Sequence, residues 1–310
     1  VPTNDMLIQI FNDEIANPSE KGRQIDLIAF DNPSSWSDQH LDYEPKDKSV
    51  WDLFLYCAQI YKCGLRTYWK DGKIRLFRMD ENAKRMNRSC QGVVMAELPQ
   101  EIFEAAVIKA VKMNERFVPP YESGASLYIR PLVIGLGAQV GVKPAPEYLF
   151  IVFVTPVGPY FKEGFKPTKM AIFRDYDRAA PLGTGTIKVG GNYAAGMIPT
   201  VKAHEMGYSA AIFLDAKEKK YIDEAGPANF FAIKNNTYIT PESSSILPSI
   251  TNKSLMQVAQ DLGLKVERRP VAEEELATFE EAGACGTAAV ISPISEIDDL
   301  ENNKQYVISK

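Results

Sequence analysis

Histidine and cysteine are scarce in this sequence, and both shortages narrow the chemistry it can carry. Of 310 residues, two are histidines, His40 and His204, and four are cysteines without any C-x-x-C spacing. Zinc sites draw their ligands from clustered cysteine and histidine, so no metal site is predicted. Scattered thiols are also typical of proteins from a reducing cytosol, and we therefore expect a cytoplasmic location.

The shortage of histidine also limits acid–base catalysis. A Ser-His-Asp hydrolase would need one of the two histidines as its base, and the sequence contains no G-x-S-x-G motif. His204, in the helical stretch "VKAHEMG", is more typical of a helix C-terminus or a surface position. If the protein is an enzyme, proton transfer is therefore expected from lysine, tyrosine or a carboxylate.

Long apolar runs and blocks of basic residues are missing as well. The longest apolar run, "YLFIVFV" at 148–154, is too short for a transmembrane helix and is typical of a buried strand. The formal net charge is −5, with 35 basic and 40 acidic residues spread along the chain. The sequence therefore predicts neither membrane insertion nor binding to nucleic acid.

What the sequence does contain is enough residues for two domains of mixed structure. A chain of 310 residues can form two hydrophobic cores of ordinary size. Helical and strand patterns are mixed in 1–154 and alternate in 170–310, and a segment rich in Pro and Gly at 155–169 separates them. We predict a small α+β N-terminal domain, an interdomain linker at 155–169 and a larger C-terminal domain, which together give a mixed α+β and α/β fold.

Several elements can be predicted individually. The segment "PQEIFEAAVIKAVKMNERFVPP" predicts an amphipathic helix, and "RTYWKDGKIRLF" predicts two strands around a turn. In the second half, "KKYIDEAGPANFFAIKNNTYITP" predicts strands with an Asn-Asn turn. The segments that follow predict a short acidic helix in "AEEELATFEEAG" and a final strand in "GTAAVISPI".

The stretch "TGTIKVGGNYAAG" at 184–196 places Lys188 shortly before two glycines. Gly-Gly pairs are common in turns, and a lysine beside a turn usually points into water. A phosphate-binding P-loop has its glycines before the lysine, so that interpretation is rejected. The other alternative is an amine nucleophile at a strand end, where small residues leave room for a planar cofactor.

An amine nucleophile of this kind would use pyridoxal phosphate, which needs an acid at its ring nitrogen and donors for its phosphate. Glu224, before Ala-Gly-Pro at a strand end, is a candidate acid, although alone it is more typical of a solvated turn. The segment 249–251 opens a helix whose N–H groups suit an anion, or whose hydroxyls simply cap the helix. Thr287 offers another hydroxyl, and Arg85 a guanidinium in a helical stretch where most arginines face water.

Together these motifs resemble the branched-chain amino acid aminotransferases, which carry pyridoxal phosphate on the two-domain fold type IV. The matching stretches occur in the family's order from about residue 50 to residue 293, and they are "DGKIRLFR", "NAKRM", "SLYIRPLVIG", "TPVGPYF", "GTIKVGGNYA", "DEAGPANFF", "ILPSIT" and "GTAAV". The resemblance implies transamination of leucine, isoleucine and valine with 2-oxoglutarate. By this ping-pong reaction the amino acids become 2-oxo acids, and L-glutamate is formed.

The resemblance assigns a cofactor site position by position. Lys188 becomes the Schiff-base lysine and the proton shuttle, and Glu224 becomes the partner of the pyridine nitrogen. Tyr193 would donate to the phenolic oxygen, and Arg85 would bind the phosphate. The remaining phosphate contacts implied by the resemblance are Ile250, Thr251 and Thr287.

The resemblance also implies a substrate pocket and a homodimer or higher homo-oligomer. Tyr56, Tyr128 and Tyr160 match pocket tyrosines, and the backbone N–H of Ala288 would contact the α-carboxylate. Arg130 matches the arginine of a "Y-x-R" motif that accommodates the distal carboxylate of glutamate. Because alternate residues of a strand share a face, Tyr128 and Arg130 are expected to act together.

The sequence departs from the family pattern in places, and related activities stay open. "YKCGLRTY" replaces a usual F-E-G turn, and Pro227 stands where some members have a threonine. Ala289 and Ser292 occupy the places of a C-x-x-C pair, so no thiol switch is predicted. The alternatives are a D-amino-acid aminotransferase or an aminodeoxychorismate lyase of the same fold, or a noncatalytic binding module.

Overall fold

The computed structural model describes residues 28–30, 66–70, 72–138, 140–158, 166–287 and 290–308. These residues form two compact units, one within 28–158 and one within 166–308. Each unit combines helices with a β-sheet. The mixed α and β fold that the sequence predicts is confirmed.

A five-stranded sheet forms the first unit. Its strands are β1 (Ile28–Phe30), β2 (Arg66–Lys70), β3 (Lys73–Leu76), β4 (Ser126–Leu136) and β5 (Glu147–Val157). The strand order is β1-β3-β2-β4-β5, with β1 parallel to β3 and the other pairs antiparallel. The two strands predicted around the Lys-Asp-Gly turn are β2 and β3.

Two helices, α1 (Met79–Gly92) and α2 (Gln100–Met113), complete the core of this unit. α2 buries Phe103, Val107 and Val111, which are four residues apart and so lie on one helix face. The Phe103 ring stacks on Phe150 of β5 with 5.8 Å between ring centres. This packing confirms the predicted amphipathic helix.

The alternation of β4 separates its core side chains from its functional ones. Leu127 and Ile129 are buried in the core of the unit. Tyr128 is half-buried and Arg130 exposed, because successive side chains of a strand point to opposite faces. The core therefore fixes the strand on one face and leaves the other face to the two predicted pocket residues.

Nine strands form the sheet of the second unit. They are β6 (Thr168–Ile172), β7 (Ala210–Leu214), β8 (Ile222–Ala225), β9 (Ala228–Lys234), β10 (Thr237–Pro241), β11 (Lys265–Arg269), β12 (Glu281–Gly286), β13 (Val290–Asp299) and β14 (Lys304–Val307). The order is β11-β10-β9-β12-β13-β6-β7-β8, and β14 pairs with β13. Because β8 also pairs with β9, the strands from β9 to β8 along this order close into a ring.

Tight turns connect β8, β9 and β10. Asn235 and Asn236 have φ values of 49° and 55°, the left-handed region that a two-residue hairpin turn requires. Asparagine enters this region more readily than most residues, and the predicted Asn-Asn turn is confirmed. The preceding turn, at Gly226 with φ 59°, places Glu224 opposite Asn229 in the β8–β9 pair.

Three helices pack on this sheet or lead into it: α3 (Gly190–Ala195), α4 (Met197–Glu205) and α5 (Ile250–Asp261). α5 buries Leu255, Val258 and Ala259, and it follows β10 in the chain. In the part of the chain that the structure describes, no helix is long and apolar enough to span a membrane.

Some elements differ from the sequence predictions. The acidic helix predicted for "AEEELATFEEAG" is wrong beyond its first turns: Glu273–Thr278 forms a 3₁₀-helix, and β12 starts at Glu281. Ala282 and Ala284 of β12 are buried in the pairing with β9, and this tertiary contact overrides the helix preference of the glutamates. Within "GTAAVISPI" the strand β13 begins at Val290, and β14 was not predicted.

The segment predicted as a linker, 155–169, contains strand residues at both ends. β5 continues to Val157, and β6 begins at Thr168. The proposed boundaries of the two domains stay a prediction.

Candidate active site

Lys188 lies in the loop that leads from β6 into α3. Its Nζ donates a hydrogen bond of 2.7 Å to Tyr193 Oη, and it lies 5.1 Å from the centre of the Tyr193 ring. Both side chains are exposed. The hydroxyl therefore holds the amine in place while leaving it accessible to a reactant.

The loop is closed by Asn192, a residue to which the sequence motifs assigned no role. Its Nδ2 donates to the carbonyl oxygens of Thr184 at 2.7 Å and Ile187 at 2.9 Å. Its Oδ1 accepts from Thr184 Oγ1 at 2.8 Å. Asparagine side chains often bind nearby backbone in this way. The buried amide thus ties the residues before Lys188 to the first turn of α3.

Glu224 is buried near the end of β8, which excludes the solvated turn that the residue alone suggested. Its Oε1 accepts hydrogen bonds from Leu247 N at 2.8 Å and Asn229 Nδ2 at 3.3 Å, and Arg178 Nη2 lies 3.3 Å away. Burial raises the pKa of Glu224 to about 7, although Arg178, the Leu247 N–H and Lys188 act to lower it. The carboxyl group can therefore hold or release a proton near neutral pH.

The N-terminus of α5 contains a buried hydroxyl group that has no partner among the described residues. Ser249 Oγ caps the helix by accepting from Asn252 N at 3.2 Å. Thr251 Oγ1 is buried and has no hydrogen-bond partner among the described residues. The first N–H groups of a helix, beginning here at Ile250, lack intrahelical partners and lie at its positive end. This end of the helix therefore suits an anion such as a phosphate.

Thr287 begins the turn that follows β12. It is half-buried, and Gly286 before it is the last residue of β12 and pairs with Val290. A Cβ added at Gly286 would lie 3.6 Å from Ala228 Cβ, an ordinary contact. Close packing among the described residues therefore does not explain this glycine, and the phosphate contact of Thr287 stays a prediction.

The first unit contains three of the predicted residues. Arg130 Nη2 donates a hydrogen bond of 3.0 Å to Tyr128 Oη, which confirms that the two side chains lie on the same face of β4. Arg85 Nη2 donates at 3.0 Å to Asn82 Oδ1, one turn earlier on α1. Asn82 therefore orients the guanidinium that the resemblance assigns to the phosphate.

The second unit contains six of the predicted residues, which are Lys188, Tyr193, Glu224, Ile250, Thr251 and Thr287. Burial raises the pKa of Glu224, and the charge of Lys188 is among the influences that lower it. Three predicted residues lie outside the described part of the chain: Tyr56, Tyr160 and Ala288.

An accessible lysine amine, a buried acid and a helix end suited to phosphate are the groups that an enzyme binding an aldehyde cofactor through lysine requires. The family model described as "Amino-transferase class IV" matches residues 64–297 of the chain. The chain belongs to this family of class IV aminotransferases.

Two bacterial relatives show which members of the family the chain is similar to. The chain is 52% identical over 285 residues to a branched-chain-amino-acid aminotransferase of Helicobacter pylori, covering 90% of this chain and 83% of the relative. It is 50% identical over 252 residues to one of Haemophilus influenzae, covering 79% of this chain and 73% of the relative. The resemblance to branched-chain aminotransferases is confirmed.

Solved structures agree with these relatives. The branched-chain amino acid aminotransferase of Escherichia coli superposes with a TM-score of 0.66 at 26% identity, covering 79% of this chain and 77% of that one. The enzyme of Thermobaculum terrenum in its pyridoxal phosphate form gives a TM-score of 0.61 at 28% identity, covering 75% of this chain and 74% of that one. These neighbours confirm the predicted fold class.

Proposed function

We propose that this protein is a branched-chain amino acid transaminase that uses pyridoxal phosphate. It transfers the amino group of leucine, isoleucine or valine to 2-oxoglutarate, and it releases a 2-oxo acid and L-glutamate. The observation that carries the proposal is the 2.7 Å hydrogen bond from Lys188 Nζ to Tyr193 Oη in the unit that buries Glu224. Two relatives named for this activity support the substrate class.

The described residues fit pyridoxal phosphate. The Thr251 hydroxyl at the start of α5, which no described residue pairs with, offers a donor for the phosphate, and Glu224 offers a carboxylate for the ring nitrogen. A Cβ added at Gly190 or Gly191 would meet no described atom within 4 Å, which leaves room beside Lys188 for a planar group. We assign the phosphate contacts to Arg85, Ile250, Thr251 and Thr287, as the resemblance implies.

When bound, pyridoxal phosphate supplies an aldehyde for the substrate amine and a ring that withdraws electrons from the substrate α carbon. Lys188 Nζ removes the proton from that carbon, and it returns a proton to the α carbon of glutamate in the second half-reaction. Tyr193 Oη keeps the amine oriented by accepting its hydrogen bond. The Glu224 carboxylate holds the ring nitrogen in its protonated form.

The substrate side needs one pocket for two kinds of side chain. An apolar lining suits leucine, and a single cation suits the distal carboxylate of glutamate or 2-oxoglutarate. Arg130, hydrogen-bonded to Tyr128, supplies that cation on an exposed strand face. Tyr56 and Tyr160 are proposed to line the same pocket, and the backbone of Ala288 to bind the α-carboxylate.

The first test is turnover. The unaltered chain should form glutamate from L-leucine and 2-oxoglutarate, and Lys188→Ala should lower kcat by at least about a thousandfold, because the proton shuttle is lost. Lys217→Ala, at an exposed position of the same unit, should keep the normal rate. Normal turnover by the Lys188→Ala variant would contradict the mechanism, and a preference for D-alanine over L-leucine would favour a D-amino-acid aminotransferase.

We further propose that the enzyme is a homodimer in the cytoplasm. The exposed apolar side chains Met197, Ile198 and Val201 on α4 support an interface between two copies of the chain. Cys90 is buried as a thiol, which supports a reducing compartment.

A further inference from the structure

Arg178 is a buried cation that no motif indicated, and it contacts three segments of the second unit. Its Nη2 donates a hydrogen bond of 2.9 Å to the Gly185 carbonyl and another to the Ser245 carbonyl. The same nitrogen lies 3.3 Å from Glu224 Oε1. A buried guanidinium is costly unless it is paired, so these contacts determine where it lies.

The two carbonyl partners lie beside residues of the proposed mechanism. Gly185 precedes Lys188 by three residues, within the same loop. Ser245 lies two residues before Leu247, whose N–H donates to Glu224. The two segments are in close contact, because a Cβ added at Gly185 would lie 2.2 Å from the Ser245 carbonyl oxygen. One guanidinium therefore joins the lysine loop, the 245–247 segment and the acid.

We propose that Arg178 is a positioning residue for transamination, which favours the ionised form of Glu224 against the effect of burial and fixes the Lys188 loop against the 245–247 segment. The Nη2 amino group suits this role, because its two N–H groups donate to the Gly185 and Ser245 carbonyls while the guanidinium charge lies beside Glu224. This inference rests on the proposed function, since it gives Arg178 a task only if Glu224 and Lys188 bind the cofactor.

The charges around Glu224 define what the loss of Arg178 would change. Burial raises the pKa of Glu224 most, Arg178 is the first of the groups that lower it, Asp223 raises it, and Lys188 lowers it. Asp223 itself accepts hydrogen bonds from the hydroxyls of Ser243 and Ser245. Without the guanidinium, burial is opposed less, and Glu224 takes up its proton at a higher pH.

The test measures how tightly cofactor-free protein binds pyridoxal phosphate as a function of pH. The affinity of the unaltered chain should fall below about pH 7, where Glu224 becomes protonated and no longer pairs with a protonated ring nitrogen. In Arg178→Gln the fall should begin about one pH unit higher or more, because a neighbouring cation typically shifts a carboxyl pKa by that amount. Arg178→Lys keeps the charge, so its affinity should begin to fall at a pH closer to that of the unaltered chain.

Two controls separate this role from general destabilisation. Arg174→Gln removes another arginine of the same unit, which pairs with Asp299 and Glu273, and should lower thermal stability without moving the pH profile. In a Glu224→Gln background, Arg178→Gln should leave the pH profile unchanged, because Arg178 acts through that carboxyl group.

Three results would overturn the inference: an unmoved profile in Arg178→Gln, an equal shift in Arg174→Gln, or a further shift in the double variant. Because binding is measured, these outcomes are independent of leucine turnover. A chain that binds the cofactor but does not transaminate leucine would contradict the proposed substrate alone.

Discussion

At the scale of single residues, Glu224 links the stability of the cofactor-free protein to pH. Burial raises its pKa from the ordinary 4.5 to about 7, so the folded state favours the protonated carboxyl group. Preferential protonation of the folded state stabilises the protein. This stabilisation is fully present below the unfolded pKa, and it is lost as the pH rises through the folded pKa. At about 1.4 kcal/mol per pKa unit, the loss is about 3 kcal/mol.

Glu224→Gln should remove this dependence. The difference in unfolding free energy between the unaltered chain and the variant should change by about 3 kcal/mol between the two pKa values, measured by urea unfolding of cofactor-free protein at a series of pH values. Glu301→Gln, at an exposed turn, is the control: its unfolding free energy should depend on pH as that of the unaltered chain does. An unchanged slope in Glu224→Gln would show that this carboxyl group does not titrate in the expected range.

Substitution of Thr251 should change the affinity for the cofactor without lowering the stability of the cofactor-free protein. Because its buried Oγ1 has no partner among the described residues, Thr251→Val should leave the unfolding midpoint of the cofactor-free protein unchanged or raise it. The affinity for pyridoxal phosphate should fall by about tenfold or more, since a hydrogen bond to a charged group contributes about 1.5–3 kcal/mol. Equilibrium dialysis and thermal unfolding measure the two effects.

Ser254→Ala is the matched control for this prediction. Ser254 is buried in the same helix, and its Oγ donates to the Ile250 carbonyl at 2.8 Å. Its loss should lower stability by about 1 kcal/mol while leaving cofactor affinity near normal. If Thr251→Val bound the cofactor as tightly as the unaltered chain, the proposed phosphate contact of this hydroxyl would be wrong.

At the scale of elements, the loop before Lys188 depends on the absence of a side chain at Gly185. An added Cβ would lie 2.2 Å from the carbonyl oxygen of Ser245 and 2.6 Å from the Cα of Ser245. Both are backbone atoms, so the overlap cannot be removed by rotating a side chain. Gly185→Ala should therefore lower the unfolding free energy by about 1–3 kcal/mol or more, as measured in urea. Gly190→Ala, where no described atom lies within 4 Å, should have little effect on cofactor-free protein. Equal losses would contradict the packing argument.

The helices and strands also show which elements local sequence patterns can predict. The amphipathic α2, the Asn235–Asn236 turn and the capped start of α5 follow from spacing, turn chemistry and capping, all of which are local. β12 does not, because it begins at the end of a glutamate-rich segment that favours a helix, and pairing with β9 makes it a strand.

The same limit applies to the candidate site. The sequence indicated Lys188, Tyr193 and Glu224 through their motifs, and the structure brings the lysine and tyrosine together. Arg178 and Asn229 were missed, because their importance comes from contacts with Glu224 that depend on how β8, β9 and the 245–247 segment fold together. Buried polar partners of this kind have no periodicity that a sequence pattern could show.

At the scale of the whole molecule, α4 exposes an apolar surface close in sequence to the proposed cofactor lysine. Met197, Ile198 and Val201 are 65%, 59% and 54% exposed. Contiguous exposed apolar side chains are typical of interaction sites rather than of free surface. A C₂ dimer, the commonest assembly, would bury the same patch on both copies.

Val201→Glu should therefore dissociate the proposed dimer, because it would bring two carboxylates into an apolar interface. Light scattering should give the mass of two chains for the unaltered protein and of one chain for the variant. Val307→Glu is a matched control, since Val307 of β14 is 58% exposed in the same unit and is expected to lie outside the interface. A single-chain mass for the unaltered protein would contradict the homodimer, whereas a dimeric Val201→Glu variant would place the interface on another surface.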